Sequence, residues 1–308
     1  MIGRSLWTVL PGAGILLAFA AFAAALDGVL DPAARHLGLG RRAGAVLWET
    51  ARLLRQRRRT TVSPDALLWR VGTASPLVVA FLMAVVIPVA GWSVADPVVG
   101  VVWFNALDVA LWLTLWSAGW GANSAYAMIG GYRFLAQALG YELPLMFALT
   151  APAVAAGSLR VGDVVAAQHG MWFVVWMPVA FLAFLGAVAG FSLWGPLAYP
   201  AGREIAGGVL AEPSGVDRLV LLAGRYALLA AGSGMATALF LGGGSGPLLP
   251  GWLWSVLKTA VVLAALVAVR GRLPVLRADR VMGLAWLVVL PLVLVQLLVV
   301  SVLAVGRG

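Results

Sequence analysis

Five ionisable or amide groups fall well inside apolar runs of the 308-residue sequence: Asn105, Asp108, Gln137, Glu142 and Lys258. A charge at membrane depth costs about 2.5–3.5 kcal/mol even on the most lenient insertion scale, so it needs a partner, a wet cavity or a proton. Glu142 lies near the end of GWGANSAYAMIGGYRFLAQALGYELPL, residues 119–145, where a short polar turn leads into an apolar helix. Desolvation favours the neutral form of a carboxyl, which makes such a group a natural proton carrier. Asp108 and Lys258 raise the same question. Asn105 and Asp108 are three apart and share a helix face with Trp112. Asn105 and Gln137 read as interhelical hydrogen-bond glue, the common use of amides in membranes. No nucleophile–base pair, phosphate loop or metal cluster is visible, so the chain is not expected to be an enzyme by itself. It has no cysteine, and its two histidines, His36 and His169, are far apart, so neither iron–sulfur ligation nor a zinc or haem site is expected.

These groups must be positioned by membrane-spanning helices. The sequence is 62% hydrophobic and 11% charged, with mean hydropathy +0.99, whereas a soluble surface needs about a quarter charged residues. Apolar runs of about 20 residues recur, each long enough to span a bilayer. They predict an all-α polytopic membrane protein of about eight transmembrane helices, over residues 6–26, 73–95, 98–119, 132–158, 170–194, 219–241, 252–269 and 281–305. The first run reads as a span rather than a cleaved signal. Residues 1–308 read as one transmembrane domain with two long loops, 31–71 and 195–218. Within the first loop, residues 45–56 (AVLWETARLLRQ) predict one amphipathic helix lying at the interface. Loops on one side hold 17 of the 21 basic residues and those on the other hold 3, with Lys258 inside a span. That split places both termini outside and the long loops in the cytoplasm. It also accounts for the net charge of +9 without nucleic acid. Four charged residues of the second loop, Arg203, Glu204, Glu212 and Asp217, read either as a solvated surface or as an interface for a soluble partner.

Three stretches carry a resemblance. Residues 119–145 resemble the motif AGW-(S/A)-SN-x-KY-(S/A)-LLG-x-x-R-x-x-AQ-x-x-SYE-(V/I), with Gly119, Trp120, Asn123, Tyr126, Gly130, Arg133, Ala136, Gln137, Tyr141 and Glu142 in register. GGGSGPLLPGWLWSVLKT, residues 242–259, is the second and includes Lys258. RGRLPVLRADRVMGLAW with a following Leu-Pro, residues 270–291, is the third. Together they resemble the H-type membrane subunit (also counted as subunit 1) of proton-pumping NADH:quinone oxidoreductase, respiratory complex I, over nearly all of the chain from about Gly44.

The resemblance implies a bacterial inner-membrane subunit that binds quinone as substrate and ligates no metal. Its implied partners are the other complex I membrane subunits, the iron–sulfur and quinone-site subunits of the peripheral arm, and lipid. It implies a proton pathway through Glu142 and loop acids Glu204 and Glu212, to which Asp108 and Lys258 are added by their burial in spans. Asp27, Arg35, Glu49, Arg52 and Arg203 fall where the family builds its quinone chamber. There are departures. The family loop opens P-F-D-x-P-E-A-E, whereas this chain has Pro196-Leu197-Ala198-Tyr199-Pro200-Ala201-Gly202-Arg203, and the first span exits through Asp27-Gly28-Val29 instead of E-R-(R/K). Asp108 has no counterpart in the family motif. These losses keep open an anchor subunit of a hydrogenase-like redox complex without a working quinone site. An independent transporter fits less well with such large basic loops.

Overall fold

The computed structural model describes residues 6–31, 34, 36–89, 91–202 and 207–306. It is all-helical, and seven of its helical stretches are long and apolar enough to cross a membrane. The fold is thus that of a polytopic membrane protein. The spans are α1 (Val9–Leu30), α4 (Ala66–Ala84), α5 (Gly100–Gly121), α6 (Ala125–Ala156), α10 (Gly215–Phe240), α11 (Gly251–Arg270) and the terminal pair α12 (Ala278–Leu284) and α13 (Leu290–Val305). A π-helical turn, Ala285–Val289, joins α12 to α13. Shorter helices are α2 (Leu39–Ala43), α3 (Ala45–Arg55), α7 (Val161–Ala166), α8 (Phe173–Trp176) and α9 (Pro178–Phe191).

The fifth of the eight expected spans, residues 170–194, is present as an apolar run broken in two. Pro178 has no amide hydrogen to continue α8, and Met177 leaves the helical region (φ −124°, ψ 46°). The backbone groups freed there are answered from α13. Gln296 donates Nε2 to Trp176 O (3.1 Å) and accepts at Oε1 from the amide of Ala180 (2.6 Å). α4 begins seven residues before the expected 73, because the Asp65 carboxylate caps it, accepting from the amides of Leu67 and Leu68 (3.1 and 3.0 Å). The polar turn ahead of Glu142 is shorter than its sequence suggests. It shrinks to residues 122–124, and α6 then runs for 32 residues through Pro144 and Pro152. The amphipathic α3 forms as expected, with Leu53 buried and Leu47, Trp48 and Leu54 exposed.

α10 is the central post. Two thirds (67%) of its apolar window is buried, against 11% for the terminal span. Small residues set the crossings around it. A Cβ on Gly72 or Gly121 would lie 2.3 or 2.4 Å from the backbone of the facing helix, so α4 and α5 pack with their main chains in contact. At one end of the bundle the arginine-rich loops meet. Arg59 N donates to Ser214 Oγ (2.7 Å), Asn123 Nδ2 to the carbonyls of Val62 and Ser63 (3.0 and 3.1 Å), and Leu276 N to Pro196 O (2.7 Å).

Candidate functional site

α5 and α6 approach closely near that basic end, where a Cβ on Gly119 would lie 2.6 Å from Ala127 O. Their crossing brings Asn105 and Asp108 of α5 against Tyr141 and Glu142 of α6. Asp108 is fully buried, and Glu142 and Tyr141 are 8% and 4% exposed. The Tyr141 hydroxyl donates to Asp108 Oδ1 (3.3 Å), and Asn105 Nδ2 donates to Glu142 Oε1 (3.1 Å). The two carboxyls lie within hydrogen-bonding reach of each other. Sequence spacing singled out each acid, but only the helix crossing makes them a pair. Tyr141, known from the sequence only as a motif residue, completes the group. Gln137 turns away and donates to the carbonyls of Gly190 (3.1 Å) and Leu197 (3.0 Å), tying α6 to the end of α9.

Lys258 is buried in α11, and no carboxylate among the described residues pairs with it. Its ammonium donates to the carbonyls of Leu241 (2.6 Å), Gly243 (3.2 Å) and Ser245 (2.6 Å), just past the C-terminus of α10. The rings of Trp172 and Trp254 cover it at 4.0 and 5.5 Å. A cation at a helix C-terminus meets the negative end of the helix dipole and the carbonyls the helix leaves unpaired.

The second long loop folds back onto the start of α6. Gly130 lies directly under Gly208 and Val209, and Arg133 Nη1 donates to Gly207 O (3.0 Å) while its guanidinium stacks 4.3 Å from the Tyr199 ring. Ser124 Oγ donates to Glu212 Oε1 (2.6 Å), and Arg58 pairs with Asp217 (3.2 Å). Arg203 and Glu204 lie outside the described residues, as does Arg35. Asp27, at the exit of α1, accepts at Oδ2 from the Tyr226 hydroxyl (2.9 Å) and pairs with Arg270. Trp194 lies between Arg225 and Arg270, each guanidinium within 6 Å of its ring. An open groove of about 1010 Å³ runs along α2 and α3 between Leu37, Arg41, Trp48, Glu49, Arg52 and Arg55. Glu49 and Arg52 face each other through two hydrogen bonds (2.8 and 2.7 Å), which hold the guanidinium pKa above its ordinary value. No group of three or more His, Asp or Glu side chains that could hold a metal occurs among the described residues.

Residues 45–301 match the family described as NADH dehydrogenase. The second H-type subunit of NADH-quinone oxidoreductase from Geobacter sulfurreducens is 40% identical over 208 residues, covering 67% of this chain and 63% of that protein. The aligned part is thus less than two thirds of that relative's length. The second H-type subunit of the same enzyme from Rhodopseudomonas palustris is 33% identical over 276 residues, 86% of this chain and 84% of its own. The H-type subunit from Geobacillus kaustophilus is 34% identical over 228 residues, 72% and 68%. The chain belongs to the NADH dehydrogenase family, in the branch formed by the H-type subunits of NADH-quinone oxidoreductase.

Proposed function

We propose that this chain is the membrane subunit of a complex I-type NADH-quinone oxidoreductase that helps form the quinone chamber and relays protons through buried carboxyls. The observation that carries this is the position of Glu142 on α6, the helix that also holds the loop-docking platform. Arg133 and Glu142 are nine residues apart, and at about 1.5 Å of rise per residue the carboxyl lies about 14 Å deeper than the platform along one rigid element. A chemical event at the platform therefore has a short structural route to a proton-carrying group.

The basic end is cytoplasmic in this reading, because the arginine-rich loops gather there. The groove along α2 and α3 suits the head of a quinone. Trp48 and Leu37 offer apolar contact, while Arg41 and Arg55 offer donors to its carbonyl oxygens. Electrons come from iron–sulfur clusters of a soluble partner, since this chain has no thiolate to ligate one. The loop of residues 195–215, held down by Arg133 and Ser124, is the surface on which that partner docks. Asp108 and Glu142 carry the proton towards neighbouring membrane subunits. Glu212 fixes the loop to the start of α6, and Lys258 holds the turn after α10.

An anchor subunit without a working quinone site is the competing reading. It is favoured by one feature of the platform: residues 195–202 carry no acid, and Tyr199 is taken up by Arg133. The two readings separate in the complex purified from native membranes. Under the proposal, Glu142→Gln assembles normally but loses most quinone-linked turnover and proton pumping, and quinone-site inhibitors block the parent complex. Normal pumping by that variant would end the relay reading. Insensitivity of the parent complex to those inhibitors would favour the anchor.

A further inference from the structure

Four oxygens belong to the two carboxyls at the crossing of α5 and α6, and the structure supplies donors for only two of them. Asp108 Oδ1 receives the Tyr141 hydroxyl and Glu142 Oε1 receives the Asn105 amide. Asp108 Oδ2 and Glu142 Oε2 are buried with no hydrogen-bond partner. Buried acceptors left without a donor are rare in native structures and call for a specific explanation. Here the two side chains are within hydrogen-bonding reach of each other. No lysine, arginine or histidine among the described residues forms an ion pair with either acid.

We infer that Asp108 and Glu142 act as a dyad that holds a single proton between them, making Asp108 a second proton-carrying group beside the family's glutamate. One O–H, on either acid, donates to the free oxygen of the other, so both unpartnered acceptors are satisfied at once. A second proton would need an acceptor such as Asn105 Oδ1, which is itself buried without a partner, and removing the only proton sets two buried anions against each other without a cation. Two other buried polar atoms of the cluster also lack a partner, Asn105 Oδ1 and Trp112 Nε1. Tyr141 is the other titratable group in contact with the pair. Trp112 contributes only an indole N–H, close to the Tyr141 hydroxyl. α9, the π turn and α13, which pack on α6, carry no titratable residue. α12 brings Asp279 and Arg280 at its exposed first turn, and α4, on the far side of α5, brings only the exposed Arg70.

The transfer step is balanced within the pair. The O–H bond on Glu142 breaks as an O–H bond forms on Asp108, the negative charge moves from α5 to α6, and no other reactant is consumed. The proton thereby crosses from one helix to the next without entering lipid. This rests on the reading of Glu142 as a relay, but the proton count can be tested apart from it.

The test is infrared difference spectroscopy on the purified complex, reading the carbonyl stretch of protonated carboxyls in H2O and D2O, for Asp108→Asn and Glu142→Gln separately. In each variant the remaining acid is buried with no cation paired to it and keeps one proton. A dyad sharing one proton therefore predicts that either substitution shifts the wild-type band without reducing its area, and that the double variant removes it all. If each single variant removes half of the double variant's loss, or if the double variant removes no band, the dyad is refuted. Tyr141→Phe covers the case in which an amide variant fails to assemble. It takes the donor from Asp108 Oδ1 and should move the band without reducing its area, and an unmoved band would overturn the assignment. Normal pumping in Glu142→Gln together with a shifted band of full area would refute the relay and leave the dyad standing. Lost pumping with half the band would do the reverse.

Discussion

Gly130→Ala is the sharpest single test of the loop-docking platform. A Cβ at this position would lie 2.3 Å from Val209 N, 2.4 Å from Gly208 C and 2.5 Å from Gly208 Cα. All three are main-chain atoms, so no rotamer change relieves the clash. Ordinary contact begins near 3.4 Å, and the loop must therefore rise by about 1 Å or more, which takes hydrogen bonds of ordinary length past the distance at which they hold. The bond that ties the loop to α6 beside this contact, Arg133 Nη1 to Gly207 O at 3.0 Å, is exposed to that shift. A hydrogen bond from a charged group contributes about 1.5–3 kcal/mol, and docking weakens by about that amount. At 1.4 kcal/mol per factor of ten, that is roughly 10- to 140-fold in the ratio of docked to undocked loop. The assay is limited proteolysis of membranes, comparing cleavage within residues 202–214 in the parent, in Gly130→Ala and in Gly186→Ala. Gly186 is the control, since a Cβ there meets nothing within 4 Å. Cleavage should rise at least tenfold in Gly130→Ala alone, with unchanged insertion and with loss of the soluble partner proposed to dock there. Equal resistance of the two variants would refute the claim that this contact holds the loop.

Three further substitutions have clear expected outcomes. Lys258→Met removes the donor shared by three carbonyls after α10. At about 1 kcal/mol or more for each buried group left unpaired, it should lower the unfolding temperature of the complex measured by intrinsic tryptophan fluorescence, without changing protons pumped per electron. Gln137→Leu strands the carbonyl of Leu197 and takes one donor from that of Gly190, which keeps the Leu193 amide, costing about 1–3 kcal/mol, and should raise hydrogen exchange at the C-terminal end of α9 before any other span. Asp27→Asn weakens the contact from α1 to Tyr226 and Arg270. Cysteine crosslinking between the ends of α1 and α10 should then fall, and unchanged crosslinking would show that Asp27 does not hold α1 in place.

Much of the architecture could be read from hydropathy, because each span must bury about 30 Å of backbone in lipid and the sequence has to supply the length. What could not be read depends on partners distant in the chain. The break at Met177–Pro178 is tolerable only because Gln296, more than a hundred residues later, answers the freed amide and carbonyl. The start of α4 was hidden by Arg70, which looks like a loop residue yet sits on an exposed face of the helix behind the Asp65 cap. Among the buried charges, Glu142 announced itself by cost, but its neighbour on α5 is set by a crossing angle that no spacing encodes. Lys258 carried the same cost signal and found a different answer. Its charge is met by carbonyls at a helix terminus, a solution that leaves no acidic residue in the sequence to look for.

The glycines of α6 explain why one helix can serve both the platform and the acids. Successive residues of an α-helix are turned by about 100°, so Gly130 and Gly131 face different neighbours. The first meets Gly208 and Val209 of the loop, and the second meets Trp116 and Gly119 of α5. Gly140 points a third way, with its Cβ position 3.2 Å from Met282 Cα on α12, beside the hydrogen bond from Trp286 Nε1 to Leu139 O (3.2 Å). Gly190 of α9 answers from the fourth side, where a Cβ would strike the Tyr141 ring at 2.6 Å. α6 is thus held at main-chain distance by the loop, α5 and α12, and at ring distance by α9. A helix held at main-chain distance by three neighbours has little room to tilt and absorb a displacement at one end. A push on the loop at Gly130 must therefore act on Tyr141 and Glu142 either by moving α6 along its axis or by changing which hydrogen bonds the two side chains make. The second route needs only a turn of the Tyr141 hydroxyl or the Asn105 amide, groups whose bonds to the acids are 3.3 and 3.1 Å long.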